Sequence, residues 1–315
     1  MPKYRNYLIT GGAGFIGSHL VETLVNSGCR VRVLDDFSSG KEENLKDLTD
    51  RIEIIRGDIR NLQLCLKAVE DMEVILHQAA VASVPRSISE PILAHEVNLT
   101  GTLNLLLAAA RTKVKSLVFA SSSAVYGDDP VFPKKEDSLG KPLSPYAAQK
   151  LASEKYIQVF SSLYGFNAVC LRYFNVFGPR QDPQSQYAAV IPIFITRMLQ
   201  GLPPVIFGDG QQSRDFIYVG NVVRANLLAA EAEGFRGEVF NIGSATRVTI
   251  NDLAEKINSF LNFSLKPVYA EARVGDIKES YADISRAEKY LGFKPEIDFL
   301  QGLKLTIDWY KKGKI

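Results

Sequence analysis

The stretch TGGAGFIGSHL, Thr10–Leu20, decides the fold. It follows a short apolar run, Tyr7–Thr10, that reads as a buried strand. It opens the amphipathic segment Ser18–Ser27, which reads as a helix. Glycines stand at Gly11, Gly14 and Gly17. Gly11 permits a tight turn, Gly14 lets the backbone approach a pyrophosphate, and Gly17 lets the helix pack closely on the strand. The helix N-terminus offers unpaired N–H groups to the phosphates, with Phe15 and Ile16 as cofactor wall.

A glycine turn can be purely steric, so a second signal matters. VRVLDDFSSGK ends the next strand with Asp35, about twenty residues downstream, where an acid meets the ribose hydroxyls of a dinucleotide. Its charge repels the extra phosphate of NADP, which favours NAD. The alternative is a solvated Asp-Asp pair. Asp58 in RGDIRN either reaches the adenine from the third strand end or serves as a structural cap.

Further strands are expected at Arg30–Leu34, Glu53–Arg56, Val74–His77, Ser116–Ala120, Ala168–Arg172 and Val239–Ile242. Helical patterns lie between most of them, at Leu62–Val69, Val97–Arg111 and Tyr146–Tyr164. Such alternation predicts an α/β fold, a doubly wound parallel Rossmann-like sheet. From Phe177 the rhythm breaks, and NDLAEKINSFLN and SRAEKYLGF read as peripheral helices of a smaller mixed α/β domain.

Composition narrows the function. A net charge of +2 over 315 residues argues against nucleic acid or a membrane surface as partner. No apolar run approaches the roughly 20 residues of a spanning helix, and MPKYRNYLITGG does not read as a signal peptide. Cys29, Cys65 and Cys170 are scattered, as are His19, His77 and His95, so buried thiols are expected and a metal is not. The expected compartment is the cytoplasm.

Two motifs carry the chemistry, SSSAVYG (121–127) and SPYAAQK (144–150). Tyr146 and Lys150 stand four apart and share a helix face. An alcohol oxidised by NAD needs a proton acceptor, and a phenol with pKa of about 10 is too weak a base at neutral pH. Positive charge from Lys150 and from the nicotinamide would lower it. Ser123 would hydrogen-bond the same substrate oxygen and relay the proton.

Together TGGAGFIG, LDDFSSG, GDIR, HQAA, SSSAVYG, SPYAAQK and LRYFNVFGPR resemble the extended short-chain dehydrogenase/reductase superfamily, in its UDP-sugar 4-epimerase branch. The likeness implies an NAD site of Gly11, Gly14, Phe15, Ile16, Gly17, Asp35, Ser39, Gly40, Asp58, Ile59, Ala79, Ala80, Asn98, Tyr146, Lys150 and Tyr173. It implies Ser123, Tyr146 and Lys150 as catalytic residues, with Ser122 beside them. Dehydratases similar to this chain carry an Asp-Glu pair after the catalytic hydroxyl, and decarboxylases a Glu. Here Ala124 and Val125 cannot transfer protons, which leaves epimerisation at carbon 4 through a keto sugar. A dehydratase or reductase of the same superfamily is the alternative, as is a non-catalytic dinucleotide sensor.

The same likeness assigns residues 1–175 and 215–243 to NAD and residues 176–214 and 244–315 to a UDP-sugar. Arg214, Arg273 and Asp276 match a uridine-diphosphate motif, although each alone reads as a surface ion-pair residue. Asn175 matches a substrate contact. AAVASVPRSI, DPQSQYAAVIP and ESYAD resemble epimerases acting on UDP-N-acetylglucosamine and UDP-N-acetylgalactosamine, with Ser83, Ala189 and Ser280 around the N-acetyl group. The likeness also implies a homodimer built on the Val97–Arg111 and Tyr146–Tyr164 helices.

Overall fold

The computed structural model describes residues 2–112, 114–138, 140–183, 189–272 and 278–313. Seven strands form the main sheet: β1 (Asn6–Thr10), β2 (Arg30–Asp35), β3 (Ile52–Arg56), β4 (Val74–His77), β5 (Ser116–Ser122), β6 (Asn167–Tyr173) and β7 (Arg236–Ile242). Each pairs in parallel with its neighbours in the order β7-β6-β5-β4-β1-β2-β3. The winding reverses between β1 and β4, and the crevice beyond those two strand ends is where doubly wound folds place ligands.

Both faces of the sheet are buried, so its strands read as continuous apolar runs. Tyr7 and Ile9 of β1 enter one core and Leu8 the other; Val118 and Phe119 of β5 divide in the same way. The expected Val239–Ile242 strand returns to the sheet as part of β7, beside β6. Strand β5 runs two residues beyond Ala120, because Ser121 and Ser122 pair with Arg172 and Tyr173. Their polar side chains hid that extension from pattern reading.

The helix expected over Val97–Arg111 is divided into a π-turn, Glu96–Gly101, and an α-helix, Thr102–Arg111. The Pro145–Tyr164 helix starts where Ser144 accepts the Ala147 N–H, with Pro145 pre-set for the first position. It stops at Gly165, whose positive φ of 79° suits a left-handed cap.

A third core lies apart from the sheet, among the helices Val190–Leu199, Ile250–Leu261 and Phe299–Lys311. The Ser285–Leu291 helix instead places Ala287 and Leu291 in a main-sheet core. Residues 244–315 thus feed both cores. A small three-stranded sheet sets Ser213–Arg214 between Val248–Thr249 and Glu279–Ser280. Among the described residues, no helix is long and apolar enough to cross a membrane.

Candidate active site

The glycine turn is as tight as its sequence implies. Gly11 has φ of +67°, and a Cβ on Gly17 would stand 2.1 Å from the Gly11 carbonyl oxygen. Gly12, which the spacing argument passed over, packs on Val33, 2.8 Å from where its Cβ would be. Gly14 caps the Phe15–Asn26 helix without a side-chain hydrogen bond, and the Ser18 N–H is bonded back to its carbonyl. Asp35 ends β2 and clamps this turn: its carboxylate accepts the Ala13 and Phe37 N–H groups, each at 2.8 Å. Burial raises its pKa against those two hydrogen bonds. A carboxylate has about four acceptor sites, so two remain for ribose hydroxyls. The side-chain-free helix start, the glycine cradle and this acceptor fit a dinucleotide.

Beyond β4, a directional hydrogen-bond chain fixes the next loop. Thr102 Oγ donates to the Asn98 carbonyl at 2.7 Å, so it accepts from His77 Nε2 at 2.9 Å. His77 Nδ1 then accepts the Thr10 hydroxyl at 2.8 Å, and Thr10 accepts the Ala79 N–H at 3.3 Å. Burial, and secondarily the Lys150 cation, lower His77 to about 3, so it is a neutral brace rather than a base. Asn98 holds the Val81 N–H and carbonyl at 2.8 and 3.2 Å, which positions the Ala79–Ala80 loop. Tyr173 is committed to Asn226, whose amide donates to its hydroxyl at 2.8 Å. Asp58 accepts the Arg60 N–H and guanidinium, each at 2.8 Å, beside buried Ile59. Its geometry is that of the local cap and ion pair. The Ser39–Gly40 loop folds against the turn, where a Gly40 Cβ would meet Ala13 at 2.7 Å.

Tyr146 sits in the first turn of its helix, and its N–H donates to buried Ser87 at 3.1 Å. One turn on, Lys150 donates from Nζ to the Ala120 carbonyl at 2.7 Å. The ammonium lies 4.6 Å from the Phe119 ring centroid and 5.8 Å from that of Tyr146. Burial lowers Lys150 to about 7, opposed by Glu154 and Cys170. Burial also raises Tyr146, opposed by the Ser122 side chain. Desolvation costs the phenolate more than its protein neighbours return, and further lowering falls to a bound cation.

Ser122, which acts on the phenol, is the last residue of β5, while Ser123 begins the Ser123–Tyr126 turn. Both serines line a cavity of about 360 Å³ with Tyr146, Ala82, Val84, Asn175, Arg214 and Ser280. Ser280 is in register with Arg214 on the adjacent parallel strand. Asn175 is fixed through its N–H and side-chain amide, each donating to the Asp215 carbonyl at 3.1 Å. The Ser83 hydroxyl caps the Val84–Ser89 helix by accepting the Arg86 N–H, and its neighbours Ala82 and Val84 line the cavity. Ala189 is exposed at the start of the Val190–Leu199 helix. Arg273 and Asp276 lie outside the described residues.

Two further lining residues escaped sequence reading. Glu279 faces the cavity but is ion-paired with Arg247 at 3.1 Å. Lys134, in an unremarkable charged run, is buried because its backbone pairs with Tyr281 and Asp283. No local pattern signals either. The three cysteines are buried free thiols, as expected.

Residues 7–243 match the NAD dependent epimerase/dehydratase family. A UDP-glucose 4-epimerase of Mycolicibacterium smegmatis is 38% identical over 308 residues, covering 96% of this chain and 98% of its own. The structure of UDP-N-acetylglucosamine 4-epimerase from Methanobrevibacter ruminantium, in complex with UDP-N-acetylmuramic acid, matches with TM-score 0.94 and 44% identity over 99% of each chain. UDP-glucose 4-epimerase of Thermotoga maritima with UDP-glucose matches with TM-score 0.93 and 40% identity over 98% of this chain and 99% of that one.

Proposed function

The chain belongs to the NAD-dependent epimerase/dehydratase family, and from that premise we propose that it interconverts C4 epimers of UDP-hexoses. The substrates are foremost UDP-N-acetylglucosamine and UDP-N-acetylgalactosamine, with UDP-glucose and UDP-galactose also turned over. NAD, when bound at the glycine turn and Asp35, supplies reversible hydride acceptance at sugar carbon 4.

The protein's residues supply the rest. Tyr146 takes the C4 hydroxyl proton and gives one back on the return step. Lys150 places positive charge beside the phenol and grips the nicotinamide ribose. Ser122 and Ser123 hold the reacting oxygen, and Arg214 anchors the diphosphate while the sugar turns over. Residues 1–175 and 215–243 serve the dinucleotide, and residues 176–214 and 244–315 the UDP-sugar.

One observation carries the reading: the cavity brings Tyr146 and both serines together with Ala124 in place of an acid, and its Glu279 is neutralised by Arg247. Expelling water or carbon dioxide requires an additional proton donor or acceptor. The test is incubation with each of four UDP-hexoses, without added oxidant or reductant, followed by NMR. Isomers of unchanged mass are expected. Dehydrated product, or accumulating NADH, would overturn the assignment.

A further inference from the structure

Behind the reacting residues lies a buried ionic cluster that the mechanism above does not use. Glu154 stands one helical turn beyond Lys150, and its side chain is 1% exposed. It receives two hydrogen bonds from Arg172, at 2.9 Å from Nε and 2.8 Å from Nη2, and one from the Ser121 hydroxyl. Ser121 and Arg172 are paired across β5 and β6. The next pair in register is Ser122 and Tyr173. One helix thus grips two consecutive residues of one strand end: Lys150 holds the Ala120 carbonyl, and Glu154 holds the Ser121 side chain. Tyr146 is on that helix, and Ser122, which lines the cavity with it, is the following residue of that strand.

We propose that Glu154 is a positioning residue of the reaction, registering the β5 serines against the Tyr146 phenol and supplying the counter-charge of the buried Lys150 ammonium. The inference rests on the epimerase reading for its activity arm alone. Several groups act on Lys150. Tyr146 and Glu154 face it from its own helix, His77 from β4, and Cys170 from β6. Arg172 is held by Glu154 and has its Nη1 on the Glu136 carbonyl at 3.3 Å. Glu154 bonds directly to Arg172 and stands one helical turn from Lys150, whose protonated form its charge favours. With a neutral isostere there, two buried cations remain, and Lys150 releases its proton more readily.

The experiment compares Glu154→Gln, Ser121→Ala and wild type, each as purified with its cofactor. Lysine labelled with ¹³C at Cε reports the Lys150 titration, with the signal assigned by its loss in Lys150→Arg. Glu154→Gln should move that midpoint down by about one pH unit or more, and the alkaline limb of kcat/KM should follow it. Ser121→Ala keeps the charge and loses only the tether. It should lower kcat severalfold while leaving the midpoint and limb in place.

An unmoved Lys150 titration in a folded Glu154→Gln protein overturns the electrostatic half. Wild-type kcat in Ser121→Ala overturns the registering half. Should Glu154→Gln fail to fold, the double variant Glu154→Gln/Arg172→Met removes the buried pair together and should also lower the Lys150 midpoint; an unmoved midpoint there overturns the electrostatic half. A wild-type protein inactive on every UDP-hexose would remove the epimerase reading, while the NMR titration would still decide the charge coupling.

Discussion

The Lys150 ammonium donates to the carbonyl of Ala120 across 2.7 Å, from a position only 3% exposed. That relationship joins the reacting helix to the strand carrying the serines, and it has a thermodynamic cost. Burial brings the folded-state pKa from 10.5 down to about 7. Between those values the unfolded chain holds the extra proton, so this residue makes stability rise with pH through that window. Below it both states are protonated, and the cost of burying the charge is fully present. Lys150→Met should therefore melt above wild type at pH 6, each stripped of cofactor, with the gap narrowing toward pH 10. Thermal melts across that range check the sign. A gap that is absent at low pH, or that widens with pH, contradicts a costly buried cation.

The second prediction separates the serines. Ser122 ends β5 and acts on the Tyr146 phenol, Ser123 opens the following turn, and both line the cavity. Tyr146→Phe should lose about 10² to 10⁴ in turnover, the usual worth of a general acid–base group. Ser122→Ala should approach that loss, and Ser123→Ala should act mainly through a raised KM. Steady-state kinetics with one UDP-hexose decide it. A catalytic collapse confined to Ser123→Ala would return the relay to that residue.

The parts legible in the sequence are those whose chemistry is local in the chain. The Gly11–Gly17 turn, Asp35 at a strand end and the Tyr146–Lys150 helical pair each declare themselves within a few residues. The end of β5 does not, because it is set by the cross-strand pairing of Ser122 with Tyr173. Glu154 reads as an ordinary helix carboxylate until Arg172 arrives from another strand. The cap made by Ser83 went unread, although a serine just before a Pro-containing first turn is a ready N-cap. Lys134 enters the cavity only because its backbone pairs with a segment far along the chain.

The third prediction concerns association. On the Pro145–Tyr164 helix, Tyr156, Val159 and Leu163 are 43%, 54% and 72% exposed. Their spacing puts them on one face, beside the half-buried Leu103 and Leu107 of the Thr102–Arg111 helix. A twofold pairing of these helices would cover that face as a four-helix bundle. In such an isologous contact one substitution counts twice, so Val159→Lys with Leu163→Asp introduces four charges into an apolar seam. Sedimentation should give a dimer for wild type and a monomer for the double variant. A wild-type monomer at micromolar concentration rules the arrangement out.

The last prediction concerns substrate size and rests on Ser280. It lies in a strand, level with Arg214, and faces the cavity that holds Tyr146. Being half-buried with a small side chain, it leaves room at the wall that a tyrosine would fill. An N-acetyl group is several heavy atoms larger than a hydroxyl, so the filled wall should exclude one class of hexose and spare the other. Overpacking costs about 1–3 kcal/mol, which is roughly a tenfold to hundredfold loss when it falls on one of two competing substrates. Ser280→Tyr should therefore depress kcat/KM for the UDP-N-acetylhexosamines by that factor, with UDP-glucose and UDP-galactose little changed. If Ser280 instead only supports the strand pairing with Arg214, both classes fall together and the melting temperature falls with them. Measuring both substrate pairs and the melt on one preparation separates these outcomes. Equal losses, or a loss confined to UDP-galactose, would remove Ser280 from the N-acetyl wall.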